Sequence, residues 1–286
     1  MKSKNISDIF LAIPLLISLG LVLYFLVVLV YYSIPSIVSG YLFRYEAALP
    51  SIYGSLIISI IAVVLSLIFS IALTILINEY LPKFLEGIIS SLIDVLAAFP
   101  TVIFGIWGLQ IFAPYFRDFV EWPLYRYLGF LPPFSYPPYQ LQSALLTGVV
   151  LGIMVTPFAT AVIREAYRTI PRELRETLLS LGAGKWEIAK ISLIQIREAI
   201  IGGLTLSFGK AIGETAAVAL LIGGIPWFCP LTAQCEAIPA LIVSEIGMGL
   251  MYPNLLSALT ALSLILFIIG AVALFGIRYV VRRIHR

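Results

Sequence analysis

Residues 175–195 read RETLLSLGAGKWEIAKISLIQ, a polar and glycine-interrupted stretch that lies between two long apolar segments. Leu178 and Leu181 recur at a helical spacing, which predicts a short helix with one apolar side. Gly182 marks the end of that helix, because glycine readily adopts the left-handed conformation of helix C-termini. A second short helix, with Trp186 on one side, is predicted over residues 185–194. The stretch therefore indicates two short amphipathic helices joined by a glycine turn.

The composition of the whole chain is that of a membrane protein. The chain has 286 residues, of which 61% are hydrophobic and only 12% are charged. Soluble domains contain about 45–50% apolar and about 25% charged residues, so a soluble fold of this size could not bury so much apolar surface. The net charge of +3 is too small to indicate a nucleic-acid-binding protein.

Several apolar segments are long enough to cross a bilayer, which takes about 20 residues of helix. Open strand edges cannot satisfy their backbone groups in lipid, so these segments are predicted to be helices. We therefore expect an all-α integral membrane protein with about six transmembrane helices, the first of them a retained span and not a signal peptide. The predicted spans are residues 10–34, 53–77, 88–113, 141–163, 199–225 and 255–277.

The distribution of positive charge predicts the orientation in the cell membrane. If the N-terminus is inside, fourteen of the eighteen Lys and Arg residues fall in inner segments and three in outer loops. Because basic residues are enriched on the cytoplasmic side, we expect both termini to be cytoplasmic. The opening stretch then belongs to the longest inner loop, residues 164–197.

The outer loops offer two further features. Residues 115–140 are rich in proline and aromatic side chains, which suits either a docking surface or a loop anchored at the lipid headgroups. Cys229 and Cys235 lie together in the last outer loop, where they either form a disulfide or remain two free thiols. With His285 as the one histidine of the chain, a Cys/His metal site is not expected.

The predicted fifth span contains two ionisable residues, Lys210 and Glu214. A charged side chain inside a membrane is costly and normally faces protein or a water-filled cavity. The two are four residues apart and so share a helix face. They either form a buried salt bridge or line an ion pathway, in which Lys210 attracts an anion. Gly209 and Gly213 beside them predict a close approach of another helix.

The inner loop resembles the EAA loop of permease subunits of ATP-binding-cassette (ABC) importers. That pattern has E-A-A, three residues, G, eight residues, then I-x-L-P. Glu176 and Gly182 stand at its Glu and Gly positions. The further matches are Ile191 and Leu193, and the departures are Thr177, Leu178 and Ile194.

This resemblance implies a type I ABC importer permease fold over residues 53–286, preceded by an N-terminal transmembrane helix and outer loop at residues 1–52. The inner loop would form the coupling helix that seats in a groove of the ATPase. The residues expected to make this contact are Glu176, Leu181, Gly182, Ala183, Gly184 and Trp186. The alternative is an amphipathic hairpin that lies on the membrane surface.

Residues 209–220, GKAIGETAAVAL, are similar to the R-A-x-G-E-T segment of phosphate-uptake permeases of the PstC and PstA type, more to PstC. Glu214 and Thr215 match this segment, whereas Lys210 replaces its arginine. The resemblance implies that Lys210, Glu214 and Thr215 line the substrate pathway. Lysine retains the positive charge of the arginine but lacks its planar fork for phosphate.

Two shorter stretches support the same resemblance. Residues 92–109, LIDVLAAFPTVIFGIWGL, are similar to the third span of the phosphate-uptake permeases, which has a carboxylate, a proline and then V-x-Y-G. Asp94, Pro100 and Gly105 match this pattern, and Phe104 replaces its tyrosine. Residues 78–82, NEYLP, resemble the short loop after the second span.

The resemblance implies a permease subunit that translocates inorganic phosphate across the cytoplasmic membrane. Its expected partners are a second permease in a heterodimer, two ATPase subunits inside, an external solute-binding protein and membrane lipid. The chain has no Walker A pattern, so ATP and Mg are expected on the ATPase, with no cofactor in this non-catalytic subunit. The alternatives are a permease for sulfate, molybdate or tungstate, an ATPase-independent secondary transporter or channel, and a structural scaffold.

Overall fold

The computed structural model describes the backbone of residues 6–284 and the side chains of residues 13–276. His285, Lys2 and Lys4, which entered the predictions on metal binding and orientation, lie outside the described residues. Within residues 6–284 the chain is almost entirely helical, without a β-strand. The helices are α1 (Ile6–Val38), α2 (Tyr41–Arg44), α3 (Ala48–Ile75), α4 (Lys83–Ala97), α5 (Thr101–Trp107), α6 (Ala113–Phe116), α7 (Trp122–Leu128), α8 (Ala144–Arg168), α9 (Arg172–Ser180), α10 (Lys185–Gln195), α11 (Arg197–Ile212), α12 (Ala216–Leu221), α13 (Ile238–Gly249) and α14 (Pro253–Ile284).

Among the described residues, four helical segments are long and apolar enough to cross a membrane. Two further segments qualify when each is taken as a bent pair of helices, which gives up to six, in line with the predicted number. The four are Ile13–Val38, Ala48–Tyr80, Ala144–Arg168 and Pro253–Gly276, and the bent pairs are Lys83–Ala97 with Thr101–Leu128 and Lys185–Gln195 with Arg197–Ile212.

The predicted third span is not one straight helix. The chain bends by 94° between α4 and the helical stretch Thr101–Leu128. Pro100 causes this break, because it lacks an amide hydrogen and disfavours a helical conformation at Phe99. The helical stretch then continues past residue 115 to Leu128, so the predicted start of the loop at residue 115 was wrong. Wide π turns at Gly108–Phe112 and Arg117–Glu121 accommodate the prolines that follow them.

The predicted fifth span is also interrupted. Helix α11 ends at Ile212, and α12 covers only Ala216–Leu221 before a turn in which Gly223 and Gly224 have positive φ angles. Glycine accommodates this turn, because it lacks a Cβ atom. Helix α13 was missed in the sequence, since its twelve residues are too few for a span.

Helix α8 forms the centre of the molecule, with 72% of its most apolar window buried. It packs against α3, α4 and α11. Glycines allow the closest contacts: a Cβ atom on Gly148 would lie 2.7 Å from the side chain of Ile61 in α3. A Cβ atom on Gly203 of α11 would lie 3.3 Å from the carbonyl oxygen of Ala159. The position of α11 is therefore fixed by its contact with α8.

Helices α1 and α14 pack together at the side of this core. Only 6% of the most apolar window of α1 is buried, so its contact with the rest of the chain is small. Two serines join the pair. The amide of Ser36 donates to the hydroxyl of Ser257 over 2.9 Å, and the hydroxyl of Ser36 donates to the carbonyl of Ser257 over 3.0 Å.

The loop at residues 222–237, which the sequence predicts to be an outer loop, is tied to the helices that surround it. Cys229 and Cys235 form a disulfide within it, with Cα atoms 5.5 Å apart. The amide of Ala144 donates to the carbonyl of Ala233 over 3.0 Å, which attaches the loop to the start of α8. The amide of Ile238 donates to the hydroxyl of Ser55 over 2.8 Å. These bonds hold the loop over the N-terminal ends of α3 and α8.

Candidate transport and coupling sites

The break between α11 and α12 shapes the surroundings of Glu214. Its carboxylate oxygen Oε1 accepts from the amide of Ala217 over 3.3 Å, so it caps the first turn of α12. The Thr215 hydroxyl donates to the carbonyl of Gly213 over 3.4 Å at the same break. Because α11 ends at Ile212, Glu214 does not share a continuous helix with Lys210. The expectation of an i, i+4 pair on one face was wrong.

Lys210 packs on an aromatic ring instead. Its ammonium nitrogen lies 3.1 Å from the ring centroid of Phe158 in α8, a cation–π contact. The four ion pairs found within 4.0 Å among residues 13–276 do not include Lys210. The structure therefore lacks the Lys210–Glu214 salt bridge that was one of the two readings of the sequence.

Gly209 and Gly213 do not mark a close helix contact, which corrects another expectation. A Cβ atom on either would meet no atom of another helix within 4 Å. Both glycines line an apolar groove of about 500 Å³ beside α1 and α14. Aromatic side chains such as Phe25 and Phe267 line the same groove.

The coupling segment, which we define as residues 172–195, has the predicted two helices, α9 and α10. Gly182 has a φ angle of 82° and ends α9. The amide of Gly182 donates to the carbonyl of Leu179, and the amide of Ala183 donates to the carbonyl of Leu178, each over 3.0 Å. This is a Schellman motif, which requires the left-handed conformation at the glycine. The prediction of a glycine stop is confirmed.

The tip of the coupling segment is exposed. Leu181 is 78% exposed and Trp186 is 50% exposed. Glu176, Gly182 and Gly184 are also exposed, and Ala183 is half-buried. By contrast, Ile188 and Ala189 are buried within the chain. The segment is thus anchored on one side and presents apolar groups on the other, and every residue expected to meet the ATPase lies near this tip.

A buried carboxylate that the sequence did not assign supports the coupling segment. Glu79 lies in the π turn Leu76–Tyr80 that ends the second span, and it is 4% exposed. Arg175 of α9 donates to both of its carboxylate oxygens over 3.2 and 2.8 Å. The hydroxyl of Tyr167 donates to Oε1 over 2.8 Å. In the sequence, the one indication of a role for Glu79 is that residues 78–82 resemble a short loop of the phosphate-uptake permeases, and this resemblance assigns Glu79 no partner.

Two more ion pairs join α4 to α8. Arg164 donates to both carboxylate oxygens of Asp94, over 2.9 and 3.2 Å. Arg168 donates to Glu86 over 3.0 Å. The sequence placed both arginines in an inner segment only by counting charges, so their partners were not predicted. Among residues 13–276 no group of three or more His, Cys, Asp and Glu side chains is placed to hold a metal ion.

The comparisons with known proteins agree with this architecture. Residues 70–286 match the family described as "Binding-protein-dependent transport system inner membrane component". The chain belongs to this family. It is therefore a multi-pass membrane protein and a permease subunit of an ABC importer.

Two relatives cover most of the permease. One from Methanocaldococcus jannaschii, named "Probable phosphate transport system permease protein PstC", is 43% identical over 240 residues, which are 83% of this chain and 76% of the relative. One from Xylella fastidiosa, named "Phosphate transport system permease protein PstC", is 35% identical over 245 residues, which are 84% and 75% of the two chains.

A solved structure shares the fold of the permease. It is described as "Crystal structure of bacterial alginate ABC transporter in complex with alginate pentasaccharide-bound periplasmic protein". The match covers 99% of this chain and 98% of that chain, with a TM-score of 0.62 and 17% identity. The predicted type I permease fold is confirmed.

Proposed function

We propose that this permease translocates inorganic phosphate across the cytoplasmic membrane in an ATP-driven importer. The observation that carries the proposal is Lys210, a cation next to the break in a membrane span that rests on Phe158 without an ion pair among residues 13–276. Relatives named as phosphate transport permeases support the choice of anion.

The chemistry of the broken span suits an oxyanion. Transporters place their substrate sites where membrane helices are interrupted, because the freed backbone groups line a cavity. A lysine ammonium binds phosphate as a point charge, with three hydrogen-bond donors. A cation–π contact is weaker than a contact with an anion, so Phe158 can hold Lys210 between transport cycles. Glu214 and Thr215 lie at the break next to it.

The partners follow from the same assignment. The permease pairs with a second permease to enclose the pathway, binds two ATPase subunits inside and receives its cargo from an external solute-binding protein. Both termini are cytoplasmic, and the permease itself is non-catalytic, with ATP and Mg bound by the ATPase. The exposed tip of the coupling segment, with Leu181 and Trp186, supports the ATPase contact.

Transport then proceeds by alternating access. When the ATPase subunits close on ATP, they displace the coupling segment. The spans reorient around Lys210, so that the site faces first the outside and then the cytoplasm. The anion binds to the ammonium group in the first state and leaves in the second.

Phosphate uptake by the complete complex in liposomes tests the proposal. Replacing Lys210 with Gln should lower uptake of radioactive phosphate by about tenfold or more, the factor implied by one lost charge-assisted hydrogen bond. Lys210→Arg retains the charge and should retain most of the uptake. Both variants should still purify with the ATPase. Full uptake by Lys210→Gln would show that the charge is not part of the pathway.

The same liposomes separate the alternative functions. Excess sulfate, molybdate or tungstate should leave phosphate uptake unchanged. If one of these anions is taken up and phosphate does not compete, the cargo is that anion. Transport by the permease alone, without ATPase subunits, would instead identify a secondary transporter.

A further inference from the structure

Glu79 lies where three elements of the permease meet. Its π turn, Leu76–Tyr80, ends the second span, while Tyr167 belongs to the end of α8 and Arg175 to α9. Both carboxylate oxygens of Glu79 are occupied: Oε1 accepts from Tyr167 and Arg175, and Oε2 accepts from Arg175. One buried side chain therefore connects two membrane spans with the first helix of the coupling segment.

The geometry of this contact is stiff. A guanidinium that donates to both oxygens of a carboxylate fixes the relative orientation of the two groups, which a single hydrogen bond does not. Glu79 is 4% exposed, so these donors, and not water, satisfy its carboxylate oxygens. A movement of α9 away from Glu79 would leave a buried carboxylate without its cation, which is costly unless the spans follow α9.

A second contact joins the other half of the coupling segment to the same π turn. The ammonium of Lys185, at the start of α10, lies 5.3 Å from the ring centroid of Tyr80. Tyr80 follows Glu79 directly in the chain. Both helices of the coupling segment thus hold one turn of the second span.

Helix α8 connects the Glu79 contact with the surroundings of Lys210. Tyr167 and Phe158 are both in this helix, and nine residues of helix span about 14 Å. Phe158 carries the ammonium of Lys210 on its ring. Helix α8 is therefore a direct structural link between Glu79 and the Lys210 site.

We infer that Glu79 is a positioning residue that transmits movement of the coupling segment to α3 and α8. The inference rests on the proposed function, in which ATPase closure drives this movement. It predicts that loss of the Glu79 contacts separates ATP hydrolysis from rearrangement of the pathway, while assembly with the ATPase persists.

The main variant is Glu79→Gln, studied in the complete complex with its partner permease, ATPase subunits and binding protein in liposomes. The number of phosphate ions taken up per ATP hydrolysed should fall by about fivefold, within the range for residues that carry coupling between sites. Tyr167→Phe and Arg175→Ala should lower the ratio in the same direction. Because all three residues act through one contact, Glu79→Gln with Arg175→Ala should be no worse than Glu79→Gln alone.

A matched control lies nearby. Arg168 and Glu86 also form an ion pair between α8 and a neighbouring element, but their side chains are 41% and 31% exposed. Exposed pairs contribute little, because water and salt screen them. Glu86→Gln should therefore keep the wild-type ratio of phosphate to ATP. An equal loss in Glu86→Gln and Glu79→Gln would overturn the inference, since any inner ion pair would then have the same effect.

Glu79→Gln could fail to fold, so Arg175 supplies an independent variant. Arg175 is 44% exposed at its side chain, and Arg175→Lys keeps the charge while it removes the two-pronged contact. Its ratio of phosphate to ATP should lie between those of the wild type and Arg175→Ala. Wild-type ratios in both Arg175 variants would overturn the inference.

A readout without cargo separates this inference from the phosphate assignment. Cys229 and Cys235 are joined as a disulfide, so a cysteine introduced by Thr215→Cys is the one thiol of this chain that a maleimide can label, and its labelling is measured on the isolated permease band. Its labelling rate should change when ATP and vanadate trap the ATPase. Glu79→Gln should abolish that change, although the variant still hydrolyses ATP when vanadate is absent. An unchanged response in Glu79→Gln overturns the role of Glu79. Absence of phosphate uptake by the wild type overturns only the cargo.

Discussion

A Cβ atom on Gly105 would lie 2.9 Å from the Cα atom of Ala217, closer than side-chain atoms approach a backbone. Gly105 belongs to α5 and Ala217 to α12, so the helix that follows the break at Glu214 packs directly on the third span. Glycine at this position allows the two backbones to touch. The wall of the proposed pathway therefore requires a residue without a side chain at position 105.

Gly105→Val should destabilise the permease by about 1–3 kcal/mol, the usual cost of overpacking a filled interior. Thermal unfolding of the purified complex in detergent measures this cost as a lower midpoint temperature. The control is Gly87→Val in α4, where a Cβ atom would meet nothing within 4 Å. Equal midpoints for the two variants would contradict the close packing of α5 on α12.

Gly182→Trp should prevent binding of the ATPase while the membrane spans remain folded. The indole adds bulk at the exposed tip, and the φ angle of 82° disfavours any side chain by about 1–2 kcal/mol. Co-purification of the tagged permease with the ATPase measures the effect. Gly182→Ala has open space around its Cβ atom and should bind the ATPase at reduced strength. Normal assembly of the tryptophan variant would exclude the tip from the interface.

Glu236 makes the stability of the loop at residues 222–237 depend on pH. It is 4% exposed, and burial raises the pKa of its carboxyl above 4.5. The amide of Ala237 donates a hydrogen bond that lowers this pKa, and the nearby Glu245 raises it. The folded chain thus retains a proton at pH values where the unfolded chain has lost it.

The midpoint of thermal unfolding should therefore fall as the pH rises from about 4.5 through the raised pKa of Glu236. The sign follows because the folded state binds more protons than the unfolded state in that range. Glu236→Gln should flatten this dependence, whereas Glu46→Gln, at an exposed position, should not. A slope that survives in Glu236→Gln would assign the effect to another group.

The number of spans could be predicted because each needs a long apolar run, and such runs are visible in one sequence. The breaks at Pro100 and Gly213 were missed, since both residues sit within runs that remain apolar on average. Hydrophobicity determines whether a segment enters the membrane. It does not determine where the helix inside that segment stops.

The candidate site divides in the same way. Gly182 was predictable because its φ angle is demanded by the local turn, and Lys210 because a charge within an apolar span is conspicuous. The partners were not predictable. Glu79 and Arg175 are 96 residues apart in the chain, and Phe158 is an ordinary apolar residue until the fold brings Lys210 onto its ring.

The serine pair that joins α1 to α14 constrains how the permease is made. Ser36 and Ser257 are 221 residues apart, so α1 is synthesised long before α14, the helix that it pairs with. Until then α1 has little protein to pack against. Until α14 has been made, α1 must therefore remain in contact with lipid or an insertion factor, and a chain truncated before α14 leaves α1 without its main packing partner.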